Sequence, residues 1–108
     1  TIWGTGTPKR DFLHVDDLAD ACLFLLNSYD NNDVINIGSG SDISINDLIK
    51  IIFSIINYKG ELKFNFEMPD GTKKKLLDTE IINSLGWNPK IKLEEGLKSV
   101  IKDVKNNF

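Results

Sequence analysis

Cysteine and histidine each occur only once in the 108 residues, as Cys22 and His14. A single cysteine excludes an internal disulfide and a cysteine-based zinc cluster, because both need two or more thiols. Cys22 lies among apolar residues, so we expect it to be a small buried hydrophobic side chain in a reducing, cytoplasmic protein. His14 has no second ligand or nucleophile beside it, which favours a structural role over catalysis or metal binding.

Long apolar runs and an excess of positive charge are also missing. No segment approaches the roughly 20 apolar residues of a membrane-spanning helix, and no signal peptide is recognisable. The net charge of −3 provides no overall positive field, so we expect neither nucleic acid nor membrane as a partner. The length allows one domain with a modest core. The chain begins at Thr1 without Met, which suggests a piece of a longer protein.

Four segments have the apolar spacing of amphipathic helices. They begin after Asp16, at Ser44, near Asp78 and at Leu93. We expect Asp16 and Asp17 to be N-caps of the first helix, and Ser44 with Asp47 resembles a capping box for the second. The second helix is apolar on nearly every side, so we expect it to be the most buried of the four.

Three segments are predicted to be short strands, because they are rich in β-branched residues or alternate between apolar and polar residues. They cover residues 11–15, 34–37 and 62–66. Pro69-Asp70-Gly71 fits a turn, since proline fixes φ and glycine accepts positive φ. The alternation of strands and helices predicts an α/β fold, a small mixed sheet with about four helices.

The stretch Trp3–Arg10 combines an aromatic ring, two glycines and two cations. A dinucleotide-binding fingerprint needs Gly-x-Gly-x-x-Gly between a strand and a helix, but Lys9 occupies the position of the third glycine. A P-loop needs four residues between its glycines, followed by Lys and Ser or Thr. Neither pattern is present, so this stretch is not predicted to bind the phosphates of a cofactor.

Two interpretations of the same stretch remain open on sequence alone. Trp3 could cover a ligand and Arg10 could grip phosphate oxygens with its planar fork. Alternatively, Trp3 lies in the core and Arg10 forms a weak surface ion pair. The run of lysines at residues 73–75 also allows two interpretations. Such runs are usually solvated, yet one lysine could face a phosphate while Asp70 accepts hydrogen bonds from hydroxyls.

Three blocks of the sequence resemble the GDP-L-fucose synthases, members of the extended short-chain dehydrogenase/reductase family. The blocks are Trp3–Ala21, Pro69–Asp78 and Leu85–Leu97, in family order. Arg-Asp-Phe-Leu-His-Val-Asp-Asp, within the first block, is shared by many nucleotide-sugar epimerases and dehydratases. Its combination with Pro-Asp-Gly-Thr and Leu-Gly-Trp-Asn-Pro is more specific.

The resemblance implies an activity that needs more than this chain. The family epimerises C3 and C5 of GDP-4-keto-6-deoxy-D-mannose and reduces C4 with NADPH. Its cofactor site and its Ser and Tyr-x-x-x-Lys residues belong to an N-terminal Rossmann half. Here neither Tyr29 nor Tyr58 has a lysine four positions later. Cys22 and His14 do not match the cysteine and histidine that serve the epimerisation in the family. We therefore expect residues 1–108 to be one C-terminal substrate-binding domain without catalytic or cofactor-binding residues, and inactive alone.

The resemblance also assigns four candidate substrate-binding residues. Trp3 matches a substrate-contacting tryptophan, Arg10 the arginine that holds the diphosphate, Asp70 the aspartate near the GDP ribose, and Lys75 a lysine facing the diphosphate. The partners implied are a GDP-sugar and the Rossmann half, with a homodimer expected for the full-length enzyme. Two alternatives are another nucleotide-sugar epimerase, dehydratase or reductase, and a non-catalytic assembly module.

Overall fold

The computed structural model describes all 108 residues, which group into two compact units. The first unit contains residues 1–10 and 42–76, and the second contains residues 11–41 and 77–108. The elements in chain order are β1 (Ile2–Trp3), β2 (Lys9–Arg10), α1 (Val15–Ser28), β3 (Ile43–Ser44), α2 (Ile45–Ile56), β4 (Phe64–Asn65), β5 (Lys74–Lys75), α3 (Glu80–Ser84) and α4 (Leu93–Asn107). Four helices with small mixed sheets confirm the predicted α/β class. None of the helices is both long and apolar enough to cross a membrane.

The first unit is built on two small sheets. β1 pairs in parallel with β4. In the second sheet, β2 lies between β3, which is antiparallel to it, and β5, which is parallel to it. The register places Lys9 opposite Lys74 and Arg10 opposite Lys75. Two strands far apart in sequence are thereby brought side by side.

Helix α2 begins as its capping sequence predicts. The Ser44 hydroxyl accepts a hydrogen bond from the Asp47 amide at 3.1 Å, and the amides of Ile45 and Asn46 donate to Pro8 and Gly6 carbonyls. The expectation that this helix is the most buried is met only in part: eight of its twelve residues are half-buried, more than in any other helix, but none is fully buried. Strands of two residues each cannot cover all sides of a twelve-residue helix.

The core of the second unit lies where α1 meets α3 and the residues that follow it. Ala21, Ile82 and Trp87 are buried together, and the Trp87 indole N–H donates to the Asp20 carboxylate at 2.9 Å. Gly86 follows the end of α3 with a φ of 107°, a left-handed conformation that is common just after a helix. The last helix predicted from the spacing of apolar residues is confirmed, since α4 begins at Leu93.

Four local predictions in this unit are wrong. The N-cap of α1 is His14, whose Nδ1 accepts from the Asp16 amide at 3.1 Å, while residues 11–14 form no strand. Cys22 is exposed, because the buried line of α1 runs through Ala21 instead. Residues 34–37 are not a strand either, since no neighbouring segment pairs with them and Val34 is 87% exposed.

The turn predicted at Pro69-Asp70-Gly71 lies a few residues earlier. The Met68 amide donates to the Asn65 carbonyl at 3.3 Å, which closes a turn over residues 65–68. Proline fixes its own φ but does not force a turn. Residues 69–73 therefore run as an irregular exposed segment into β5.

Candidate functional site

The glycine-rich turn between β1 and β2 is shaped by contacts within its own unit. Gly4 and Gly6 have φ values of 69° and 71°, which side chains rarely tolerate. A Cβ atom at Gly4 would meet the Asp70 carboxylate, and one at Gly6 would meet the Asn46 amide. The two glycines thus allow two polar side chains to approach the turn.

Asp70 is fixed against this turn by two hydrogen bonds. Its Oδ1 accepts from the Thr5 amide at 2.8 Å, and its Oδ2 accepts from the Thr5 hydroxyl at 2.7 Å. The Thr5 amide and then the Thr5 hydroxyl lower the pKa of Asp70 from its ordinary value, because both bonds favour the ionised form. An ionised carboxylate retains lone pairs that can accept further hydrogen bonds.

Arg10 has its guanidinium turned towards the segment that follows Asp70. Its Nη1 donates to the carbonyls of Lys9 at 2.7 Å and Thr72 at 2.6 Å. Gly71 lies beneath the group, since a Cβ there would come within 2.9 Å of Nη2. Within its unit Arg10 thus bonds to carbonyls and not to a carboxylate, contrary to the surface ion pair that the sequence left open. Arginine has five N–H donors, so the donors that do not bond to these two carbonyls are available to an anion.

Lys75 is the cation beside Arg10. The two residues are directly paired on parallel strands, and paired residues project from the same face of a sheet. Lys74, one residue earlier, projects from the opposite face with Lys9, and its Nζ lies 3.7 Å from Oδ2 of the largely buried Asp42. Successive residues of a strand project from opposite faces of the sheet, so Lys75 and Lys74 face different sides. The run of lysines in the sequence does not by itself separate the two.

Trp3 is 66% exposed at the start of the same turn. The alternative that placed it in the core is wrong, because the tryptophan of the core is Trp87, which is 4% exposed. All four predicted substrate-binding residues fall in the first unit. The strand pairing brings Arg10 and Lys75 together, and Asp70 joins the turn next to Trp3.

The turn does not form a cradle for a dinucleotide. In such a cradle the first amides of a helix point at the cofactor's phosphates. Here the turn leads into strand β2, and the first two amides of α2 already donate to the Pro8 and Gly6 carbonyls. This turn therefore lacks the geometry of a dinucleotide phosphate loop.

The remaining polar residues of the segment after Arg10 have structural partners. Asp11 accepts from the amide and hydroxyl of Ser39, and His14 caps α1 as a structural histidine. Asp17 is 3% exposed and accepts from the amides of Lys90 and Ile91 at 3.1 and 2.9 Å. No group of three or more His, Cys, Asp or Glu side chains is arranged to hold a metal ion.

Thr5 and Asn46 were missed as contributors to the site. The Asn46 amide group donates to the Thr5 carbonyl at 3.1 Å, and Thr5 is the only partner that fixes the Asp70 carboxylate within the unit. Thr5 and Asp70 are 65 positions apart, so no periodic pattern in the sequence could have connected them.

Comparison with known proteins agrees with this description. Residues 1–38 match the NAD dependent epimerase/dehydratase family. GDP-L-fucose synthase 1 of Arabidopsis thaliana is 48% identical over 96 residues, which cover 89% of this chain and 30% of that protein. The chain spans about a third of the length of the relatives it matches, in their C-terminal portion.

Two solved structures have the same fold over nearly the whole chain. GDP-mannoheptose C4 reductase of Campylobacter jejuni, with NADP bound, is 39% identical with a TM-score of 0.84, covering 96% of this chain and 34% of that one. UDP-glucose 4-epimerase of Thermotoga maritima, with UDP-glucose, is 34% identical with a TM-score of 0.87, covering 97% and 34%.

The fold and the matches define a class, the extended short-chain dehydrogenase/reductase enzymes. Within it, the chain belongs to the NAD-dependent epimerase/dehydratase family and is the counterpart of the C-terminal portion of GDP-L-fucose synthases.

Proposed function

We propose that this chain is the substrate-binding part of a GDP-L-fucose synthase. That enzyme epimerises GDP-4-keto-6-deoxy-D-mannose at C3 and C5 and reduces C4 with NADPH to give GDP-L-fucose. The 48% identity to a GDP-L-fucose synthase supports the assignment. A Rossmann half would supply the NADP(H) site and the catalytic residues, in a homodimeric cytoplasmic enzyme.

The observation that carries this proposal is the pairing of Arg10 with Lys75 across β2 and β5. Two cations on one face of a sheet repel each other unless an anion lies between them. A diphosphate is such an anion, and arginine binds its oxygens through charge-assisted hydrogen bonds. The net charge of −3 makes these local cations, rather than any general field, responsible for holding it.

Asp70 and Trp3 complete the proposed site at the turn itself. The Asp70 carboxylate would repel a diphosphate, so its place is beside the ribose hydroxyls, from which an ionised carboxylate accepts hydrogen bonds. The exposed Trp3 ring offers a flat apolar face and an indole N–H to the nucleotide sugar. These residues hold the substrate in position, and no step of the epimerisation or reduction is assigned to them.

A second candidate is a nucleotide-sugar enzyme of the same family with a different substrate. The similarity to an epimerase solved with UDP-glucose favours it, as does the resemblance of the Arg-Asp-Phe-Leu-His-Val-Asp-Asp segment to many nucleotide-sugar epimerases. Calorimetry of the 108-residue chain with GDP, UDP and dTDP separates the two. GDP binding that is tightest of the three, and that Arg10→Ala weakens at least tenfold, is expected from the loss of bonds to a charged group.

Tighter binding of UDP or dTDP than of GDP would favour the second candidate, and unchanged GDP affinity in Arg10→Ala would contradict both. Lys9→Ala is the matched control, because Lys9 projects from the other face of the same strand. It should retain the affinity of the unmodified chain.

The chain alone should not turn over substrate, because hydride transfer needs a cofactor in contact with the sugar. We expect no NADPH oxidation when purified chain is mixed with the keto-sugar, and measurable oxidation by a relative that carries both halves. NADPH consumption by the purified chain would contradict this part of the proposal.

A third candidate, a non-catalytic assembly module, draws on exposed apolar residues of α1 such as Leu23 and Leu26. Such a face can support association. Self-association measured by sedimentation, together with no effect of GDP on the melting temperature, would favour this candidate over substrate binding.

A further inference from the structure

Thr5 contributes two donors to a single carboxylate. Its amide and its hydroxyl donate to different oxygens of Asp70, at 2.8 and 2.7 Å. This fork fixes the plane of the carboxylate as well as its position, which a single hydrogen bond cannot do.

Thr5 is itself held through the backbone of its turn, and its hydroxyl has one further neighbour. Its carbonyl accepts from Asn46 of α2 at 3.1 Å, and its hydroxyl lies 2.7 Å from the Thr7 hydroxyl. Since the Thr5 hydroxyl has one proton, which it donates to Asp70, Thr7 is the donor in that pair. The Gly4 amide donates to the Asn65 carbonyl at 2.9 Å on the other side. Thr5 is therefore a fixed point on the turn.

The segment that begins at Asp70 has a second attachment two residues later. The Thr72 carbonyl accepts from Arg10 Nη1 at 2.6 Å. Gly71, which lies between Asp70 and Thr72 in the chain, leaves room for the guanidinium. Residues 70–72 are thus tied at one end to Thr5 and at the other to Arg10. All of them are exposed, so these attachments, rather than burial, define the segment's path.

We propose that Thr5 is a positioning residue of the nucleotide-sugar site, which orients Asp70 directly and Arg10 through residues 70–72. This inference rests on the proposed function, because it assumes that Asp70 and Arg10 bind the ligand. Thr5 itself need not touch the nucleotide sugar. Its loss should weaken binding because Asp70 and Arg10 would no longer be preorganised.

The test compares Thr5→Val with Thr5→Ser and Thr7→Val in the 108-residue chain. Valine keeps the shape of threonine and the backbone amide that donates to Asp70, but it has no hydroxyl to donate to the second carboxylate oxygen, whereas serine has one. Thr7→Val is the matched control, because it leaves both bonds from Thr5 to Asp70 in place. GDP affinity is measured by calorimetry, and the Asp70 carboxyl is titrated by carbon-detected NMR without ligand.

Thr5→Val should weaken GDP binding about threefold to tenfold, the usual range for one lost hydrogen bond. The pKa of Asp70 should rise towards its ordinary value, since one of the two bonds that lower it is gone. Thr5→Ser should restore both quantities, and Thr7→Val should stay close to the unmodified chain. If Thr5 only stabilised the fold, its variants would lose affinity only together with the fold. An affinity that falls in Thr5→Val and returns in Thr5→Ser, while the fold stays the same, indicates a positioning role.

The outcomes separate this inference from the proposed function. Absence of GDP binding by the unmodified chain contradicts the proposed function before any variant is compared. Wild-type GDP affinity in Thr5→Val contradicts only the positioning role. An Asp70 pKa that does not move in Thr5→Val also contradicts the positioning role, whether or not GDP binds.

Discussion

Lys74 and Lys75 are neighbours in sequence but project from opposite faces of β5. Lys74 lies 3.7 Å from Asp42, whereas Lys75 is paired with Arg10. Lys75→Ala should weaken GDP binding severalfold, because it removes one of two cations facing the diphosphate. Calorimetry on both alanine variants checks this prediction.

Lys74→Ala is the control for that experiment, since it removes the same charge and the same side-chain length. It should leave GDP affinity within about twofold, because solvent screens a charge on the far face. Equal losses of affinity in the two variants would mean that only the number of charges matters, and the predicted face would be wrong.

Asp17 is the residue of the second unit on which stability depends most clearly. Its buried carboxylate accepts from the amides of Lys90 and Ile91. Asp17→Ala leaves both donors unpaired and should lower the free energy of unfolding by about 3 kcal/mol. Urea denaturation measures the change. Asp16→Ala, at an exposed position, should stay within about 0.5 kcal/mol, and a similar loss in both variants would contradict this role.

Sequence could assign residues where a local pattern or a family pattern identifies them. Trp3, Arg10, Asp70 and Lys75 come from the resemblance, and the structure supports Lys75 over Lys74 through the strand register. The bonds of Thr5 and Asp17 could not be predicted, because each joins positions 65 or more apart. Their functional roles remain predictions until ligand binding is measured.

Helix α2 offers the clearest test of an element's boundary. Ser44 accepts from the Asp47 amide, and loss of such a cap typically costs about 1 kcal/mol. Ser44→Ala should therefore lower the free energy of unfolding by about that amount, as measured by urea denaturation. Ser41→Ala is a matched control three residues earlier and outside the helix. A Ser44→Ala variant as stable as Ser41→Ala would show that the loop carbonyls at Gly6 and Pro8 suffice.

Helices and strands differ in how far the sequence could define them. All four helices were predicted, because apolar spacing over several turns is a local signal. The strands are two residues long, so their existence depends on distant partners and not on their own composition. Residues 34–37 show the converse, since β-branched residues without a partner do not form a strand.

At the scale of the whole molecule, we propose a substrate-binding function for a chain that corresponds to only part of its relatives' length. It matches about 30% of the length of a GDP-L-fucose synthase, and no Tyr-x-x-x-Lys is present. The assignment of residues 1–108 to one substrate-binding domain remains a prediction, as do the homodimer and the preference for NADP(H). The family, by contrast, follows from the matches over nearly the whole chain.

The most direct test of the central claim uses the two tryptophans of the chain. Trp3 is 66% exposed in the unit that carries Arg10, whereas Trp87 is 4% exposed in the core of the other unit. Each indole N–H gives its own signal in a nitrogen–proton correlation spectrum. On titration with GDP-mannose, the Trp3 signal should shift progressively and the Trp87 signal should stay in place. A Trp3 signal that does not move while the ligand binds would contradict the proposed site.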